Sequence, residues 1–132
     1  MTITAPITAP APTSNAVGLR TAVQIMERWN ATQDDMSRIL RVSRSSINRA
    51  KSRLESITLD EDQLDRLSYV LNIHAALRTL FDNPENVTGF MTMKNHNEFF
   101  NGRTPLDVIV NGGYVGLYET HRRIDALRGG MW

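Results

Sequence analysis

The sequence predicts an all-α protein: an N-terminal helix-turn-helix followed by a second small helical domain. Three observations predict it. From Leu19 onward apolar residues recur at three- and four-residue spacing, and no segment shows the strict alternation of a half-buried strand. Residues that cap helices punctuate this pattern at Thr32, Ser43, Asp60 and Thr104. Charge is divided unevenly: up to Thr58 there are eight Lys/Arg against four Asp/Glu, a balance of +4, and from Leu59 onward seven against ten, a balance of −3. A basic half joined to an acidic half points to two jobs, one of which can meet phosphates.

The chain has 132 residues, of which 41% are apolar, enough for one domain or two small helical ones. Residues 1–14 read as a disordered Pro/Ala/Thr-rich leader, because prolines remove donors and restrict their neighbours. Residues 15–58 form the expected helix-turn-helix domain and residues 59–132 the second helical domain. Ser14 or Asn15 opens the first helix, whose inner positions are Leu19, Val23, Met26 and Ile25, and which ends near Trp29 and Asn30. Thr32 caps a short helix through Leu40, and Ser43 another through about Leu54. Asp60 caps a long helix whose apolar stripe is Leu64, Leu67, Val70, Leu71, His74, Leu77 and Leu80. Asn83-Pro84 stops it and starts a helix over 85–93. Thr104-Pro105-Leu106-Asp107 combines a cap, a first-turn proline and an acid at the third position, a strong start signal. Gly112-Gly113 breaks that helix, and the last runs from about Tyr114 to Arg128, ended by Gly129-Gly130.

The stretch from Thr32 to Leu54 is the most informative part of the basic half. Met36, Ile39 and Leu40 give the inner face of one short helix, Val42 plugs the turn, and Ile47, Ala50 and Leu54 give the inner face of the next. A turn of three residues crosses the two helices steeply, as in repressor-type helix-turn-helix units. Six basic residues and no acid lie from Arg38 to Arg53. At about 100° per residue, Ser45, Asn48, Arg49 and Ser52 point away from Ile47 and Ala50. Arg44 opens the helix, where a recognition helix meets base edges. Arginine suits guanine and asparagine suits adenine. Gln33 is placed for a phosphate, and Arg38, Lys51 and Arg53 for phosphates or a solvated flank. The alternative is an amphipathic helical pair with a solvated basic face, or a unit that serves dimerisation. Repressor-type turns usually carry Gly where this chain has Arg41, and a non-Gly residue at positive φ is costly there.

The acidic half holds no catalytic constellation. His74 falls on an apolar stripe, His96 in a polar loop and His121 on the last helix, with no metal-ligand spacing. Cysteine is absent, so neither a disulfide framework nor a thiolate zinc site is expected, and no cofactor is implied. With no apolar run of membrane-spanning length and no secretory signal, the expected compartment is the cytoplasm. Val115, Leu117, Tyr118, Ile124 and Leu127 are too many for one narrow stripe on the last helix, so part of that surface is expected either to meet another chain or to be internal core.

From Asp60 to the end the chain resembles the toxin-binding domain of the Xre/MbcA/ParS antitoxin family. The residues that carry the resemblance are Phe90-Met91, Asn97, Phe100, Gly102, Thr104-Pro105-Leu106, Gly112-Gly113 and Leu127 through Gly129. Phe90 stands where the family usually has Trp, and the loop before Asn97 is about two residues longer than usual. The basic unit before it also fits the family's layout. The resemblance implies an all-helical antitoxin that binds a RES-domain toxin, a type that consumes NAD. It also implies a homodimer, a hetero-oligomer with the toxin, and repression of its own operon through operator DNA. On this reading Arg103, Tyr114, Leu117, Tyr118, His121, Arg122, Arg128 and Trp132 form the toxin-binding set, since aromatics and Arg are enriched at interface hot spots. Trp132 ends a glycine-hinged tail suited to a concave site. Two other readings remain: a helix-turn-helix repressor whose C-terminal half serves only dimerisation, and a small helical enzyme, for which no residue set speaks.

Overall fold

The computed structural model describes residues 14–52 and 57–129. Residues 1–13 of the expected leader, Arg53, Leu54 and the end of the tail with Trp132 lie outside the described residues, and Ser14 already belongs to the first helix. Seven helices and no strand are found among the described residues: α1 (Ser14–Arg28), α2 (Gln33–Leu40), α3 (Arg44–Ser52), α4 (Glu61–Leu80), α5 (Pro84–Thr92), α6 (Pro105–Asn111) and α7 (Gly113–Arg128).

The local signals operate as hydrogen bonds. The Thr32 side chain accepts from the Asp35 N–H while the Asp35 carboxylate accepts from the Thr32 N–H, a reciprocal capping box. Asp60 and Gln63 repeat the device at the start of α4. The Asn83 Oδ1 accepts from Glu85 and Asn86, and Thr104 Oγ1 from Asp107, each ahead of a proline in the first turn. Ser43 Oγ accepts from the Ser46 N–H at 3.0 Å and so opens α3.

One cluster of buried apolar side chains runs through both halves of the chain. It joins Leu19, Met26, Trp29, Ile39 and Ile47 to Ile73, Leu77, Met91, Ile109, Leu117 and Ile124. Helix α1 packs on α3 and α4, α2 on α6, and α4 on α7. The buried side of α4 comprises Leu67, Val70, Ile73, Ala76 and Leu77. It is therefore wider than a single stripe, because α1 and α7 cover different sides of the helix. Leu64, Leu71, His74 and Leu80 are only half-buried at its margins.

At the α6–α7 corner the chain turns within two glycines. A Cβ at Gly116 would lie 2.6 Å from the Val108 carbonyl oxygen, and one at Gly112 would lie 2.5 Å from it. Both glycines thus permit a backbone approach that no other residue fits. The loop before α6 closes on itself: the Asn97 side chain accepts from the Phe100 N–H at 3.0 Å, and Gly102 N–H donates to Asn95 O at 2.8 Å. Phe100 is fully buried beneath it.

Candidate functional site

The helix-turn-helix is held by its own turn. Arg41 takes φ 59° and ψ 38°, the left-handed conformation usually given to glycine. Val42 is buried behind it, and Ser37 Oγ donates to the Val42 carbonyl. The Arg41 guanidinium reaches forward to α4, bonding Asp62 at 2.8 Å and Asp60 at 2.5 Å, while Gln63 Nε2 donates to the Arg41 carbonyl at 2.7 Å. Hydrogen bonds from Arg41 hold the Asp62 carboxyl below its ordinary range. Asp60 is lowered too, first by the Gln63 backbone N–H and then by Arg41.

Arg44, Ser45, Asn48, Arg49, Lys51 and Ser52 are all exposed along α3, opposite the buried Ile47 and Ala50. Gln33 Nε2 donates to Asn48 Oδ1 at 2.8 Å, joining the start of α2 to the middle of α3. That bond orients the Asn48 amide, and the Asn48 NH₂ group stays available to an acceptor. An Arg49 NH₂ group donates to Ser46 Oγ at 3.2 Å. Lys51 Nζ lies 3.1 Å from a Glu27 carboxylate oxygen on α1. Both side chains are well exposed, so this pair is weak and Lys51 can exchange it for a phosphate. Arg38 is exposed on the flank. Its guanidinium donates to Asn111 Oδ1 of α6 at 2.9 Å, because α2 packs on α6 and Arg38 lies on that side.

A second face lies on α7 and α4. Tyr69 of α4 sits amid Tyr114, Tyr118 and His121 of α7, with ring centroids at 5.6, 6.2 and 5.7 Å. The two tyrosine contacts are edge-to-face, a favoured arrangement. Tyr114 Oη donates to Asp65 at 3.3 Å. Hydrogen bonding with Tyr69, followed by desolvation and the Asp65 charge, pushes the Tyr114 phenol up to about 12. Beside this cluster, Val115 is 67% and Tyr118 43% exposed, unusual for such large apolar groups. Arg122 is exposed on the same side of α7 and makes a long 3.8 Å pair with Glu119. Arg128 pairs with Asp125 in the last turn.

One member of the expected toxin-binding set sits elsewhere, and Arg103 has a local bracing role. Leu117 is fully buried, a correction to its expected place on an interface. It lies on the inner side of α7 with Gly116, Thr120 and Ile124. Arg103 bonds the carbonyls of Phe100 and Phe99 and stacks over the Phe99 ring, 5.4 Å from its centroid. Arg123 covers the same ring at 5.0 Å. Arg103 thus braces the loop before α6 while remaining exposed. Tyr69 was not legible as a site residue: it flanks the apolar stripe of α4, and only the packing of α4 on α7 brings it to the cluster.

Among the described residues no group of His, Asp and Glu could hold a metal ion, and no helix is long and apolar enough to cross a membrane.

Residues 9–72 match the family described as the antitoxin Xre-like helix-turn-helix domain. Residues 76–130 match the antitoxin Xre/MbcA/ParS C-terminal toxin-binding domain. The two matches meet within α4. The chain is also similar to the protein of Sinorhizobium fredii (strain NBRC 101917 / NGR234) called Uncharacterized protein y4oB. The two are 32% identical over 133 residues, covering 97% of this chain and all of that relative.

Proposed function

The chain belongs to the Xre/MbcA/ParS antitoxin family, and from that premise we propose that it neutralises a RES-domain toxin that consumes NAD and represses its own operon. The proposed division is residues 15–58 for DNA and residues 59–132 for the toxin, with both activities exercised in the cytoplasm. Arg44, Ser45, Asn48 and Arg49 read the operator from the outer face of α3, and Gln33 and Lys51 contact phosphates. A homodimer presents two such helices to half-sites about one helical turn apart.

The observation that carries the toxin reading is the exposed aromatic face of α4 and α7. Tyr69, Tyr114, Tyr118 and His121 form a preassembled cluster with Val115 and Arg122 at its side. Rigid aromatic anchors beside an Arg are the residue types that dominate binding energy at interfaces. The tail that ends in Trp132 follows α7 directly, and it is proposed to enter the toxin's NAD pocket.

The test is coexpression with the product of the neighbouring reading frame. Wild type is expected to co-purify with that product and to protect the cells. Removal of residues 129–132 is expected to reduce protection while operator binding persists. If the truncated chain still protects fully, the tail has no part in neutralisation and the helix faces carry it alone. If the chain neither binds the neighbour's product nor protects, the C-terminal half serves assembly of a repressor instead.

A further inference from the structure

A cavity of about 400 Å³ opens where α1 ends, walled by Arg28, Trp29, His74, Arg78, Val87 and Thr88. Its size falls within the range of small-molecule sites. Its chemistry is not that of an ordinary gap in packing. Trp29 is fully buried, yet its indole Nε1, a donor only, has no hydrogen-bond partner. The Nδ1 of His74 is likewise buried and unpartnered. Buried polar atoms in folded proteins are almost always paired, and two orphans in one wall ask for an explanation. Two guanidinium groups, Arg28 and Arg78, flank them, and among the described residues neither is in an ion pair. Burial, and then the charges of Arg78 and Arg28, lower the His74 imidazole below its ordinary range, so both arginines act on this site.

We propose that this cavity is a binding site for a small organic anion: a carboxylate or phosphate head on an apolar body. The head accepts from the exposed guanidinium groups of Arg28 and Arg78, with the Trp29 indole behind them in the wall. Charge-assisted bonds to guanidinium are the strong ones, and the apolar body lies along Pro84 and Val87. The site does not belong to either face described above. Its walls come from α1, α4 and α5, and Thr88 Oγ1 already donates to the Arg28 carbonyl at 2.9 Å. An anion there ties the end of the first helix to the C-terminal half.

The test uses the full chain and two probes, phenyl phosphate and benzoate. Sodium chloride at matched ionic strength and neutral benzyl alcohol serve as controls. The chain has two tryptophans, and the Trp29 indole N–H signal in a ¹H–¹⁵N spectrum is the one that W132F retains. That signal is expected to shift saturably with at least one anionic probe and with neither control. Which probe binds more tightly identifies the head group. Arg28 and Arg78 are exposed, so R28Q/R78Q is expected to fold and to weaken binding about tenfold or more. R78Q alone gives an intermediate loss should the double variant fold poorly. Three results would overturn the proposal: no saturable shift with either anion, an equal response to benzyl alcohol, or binding indifferent to both arginine substitutions.

Discussion

The Arg41 guanidinium lies 2.8 Å from the Asp62 carboxylate, so the residue that closes the helix-turn-helix turn is also fastened to the first turn of α4. A glycine at this position would satisfy the backbone without strain. Arginine adds a side chain that links the turn between α2 and α3 to the start of α4, at the cost of a left-handed φ. Separating the two contributions gives the first prediction. Arg41→Gly and Arg41→Ala lose the same contacts to Asp60 and Asp62, but only Ala keeps the left-handed strain. Arg41→Ala is expected to be the less stable by about 1–2 kcal/mol in urea unfolding. Equal stabilities would mean that the turn relaxes out of this conformation.

The same clasp has a pH dependence of known sign. Asp60 and Asp62 are held below their ordinary 3.8. A lowered folded value means that the contribution is complete above the unfolded value and disappears as pH falls through the folded values. Wild type is therefore expected to exceed D60N/D62N in stability by a constant margin near neutrality, and the margin is expected to close below pH 3.8. Thermal melts of both proteins across that range check it. A margin that closes above pH 5 or so would point to other groups.

The helix starts were legible because they are local. Thr32, Asp60 and Thr104-Pro105 announce themselves within four residues, and each cap is made by the residue that the pattern names. The odd residue in the turn, Arg41, was legible as a departure, and its φ bears that out. The acidic partners of its side chain were not, because they lie on the next helix. Leu117 and Tyr118 are adjacent and both apolar, and only the packing of α7 on α4 and α6 decides that one is core and the other surface. Arg38 looked like its basic neighbours until α6 supplied Asn111. Non-local pairing also hid Tyr69 and the wall that brings Arg28 beside Arg78.

For DNA, the third prediction distinguishes the outer face of α3 from its flank. Arg44→Ala, Arg49→Ala and Asn48→Ala are each expected to cost about 1–3 kcal/mol in operator affinity. Lys51→Ala is expected to weaken binding to all sequences and to flatten the salt dependence. Arg38→Ala is expected to leave affinity close to wild type, since that side chain is held by Asn111. Fluorescence anisotropy with a fragment from upstream of the gene reads all five. An Arg38→Ala loss as large as that of Arg44→Ala would show that α2 turns toward the duplex.

The α6–α7 corner gives a stability prediction independent of any partner. Gly116→Ala places a methyl group 2.6 Å from the Val108 carbonyl oxygen, a backbone atom that cannot move aside cheaply. Such overpacking is expected to cost about 1–3 kcal/mol. Leu117→Ala, from a site with no exposed surface, is expected to cost about 2–5 kcal/mol. Both are measured by denaturant midpoint at unchanged slope, which shows that compactness is retained.

The last prediction uses that stability scale to isolate the partner-binding face. Leu117 and Tyr118 are neighbours in sequence, but Leu117 is fully buried and Tyr118 is 43% exposed. If the face around Tyr69, Tyr118 and Val115 binds the toxin, its substitution must uncouple neutralisation from folding. Tyr118→Ala and Val115→Asp are expected to keep the melting temperature near that of wild type, because neither side chain fills the core. Tyr118→Ala is expected to weaken the toxin complex by about 2 kcal/mol or more, the scale of an interface hot spot. Val115→Asp sets a charge beside the aromatic cluster and is expected to abolish co-purification. Leu117→Ala should do the reverse: it should lower stability and reduce toxin binding only in proportion to the unfolded fraction. Melting curves and co-purification yields measured on the same preparations separate the two patterns. Should Tyr118→Ala and Val115→Asp both retain the toxin at wild-type yield, the aromatic face is not the docking surface.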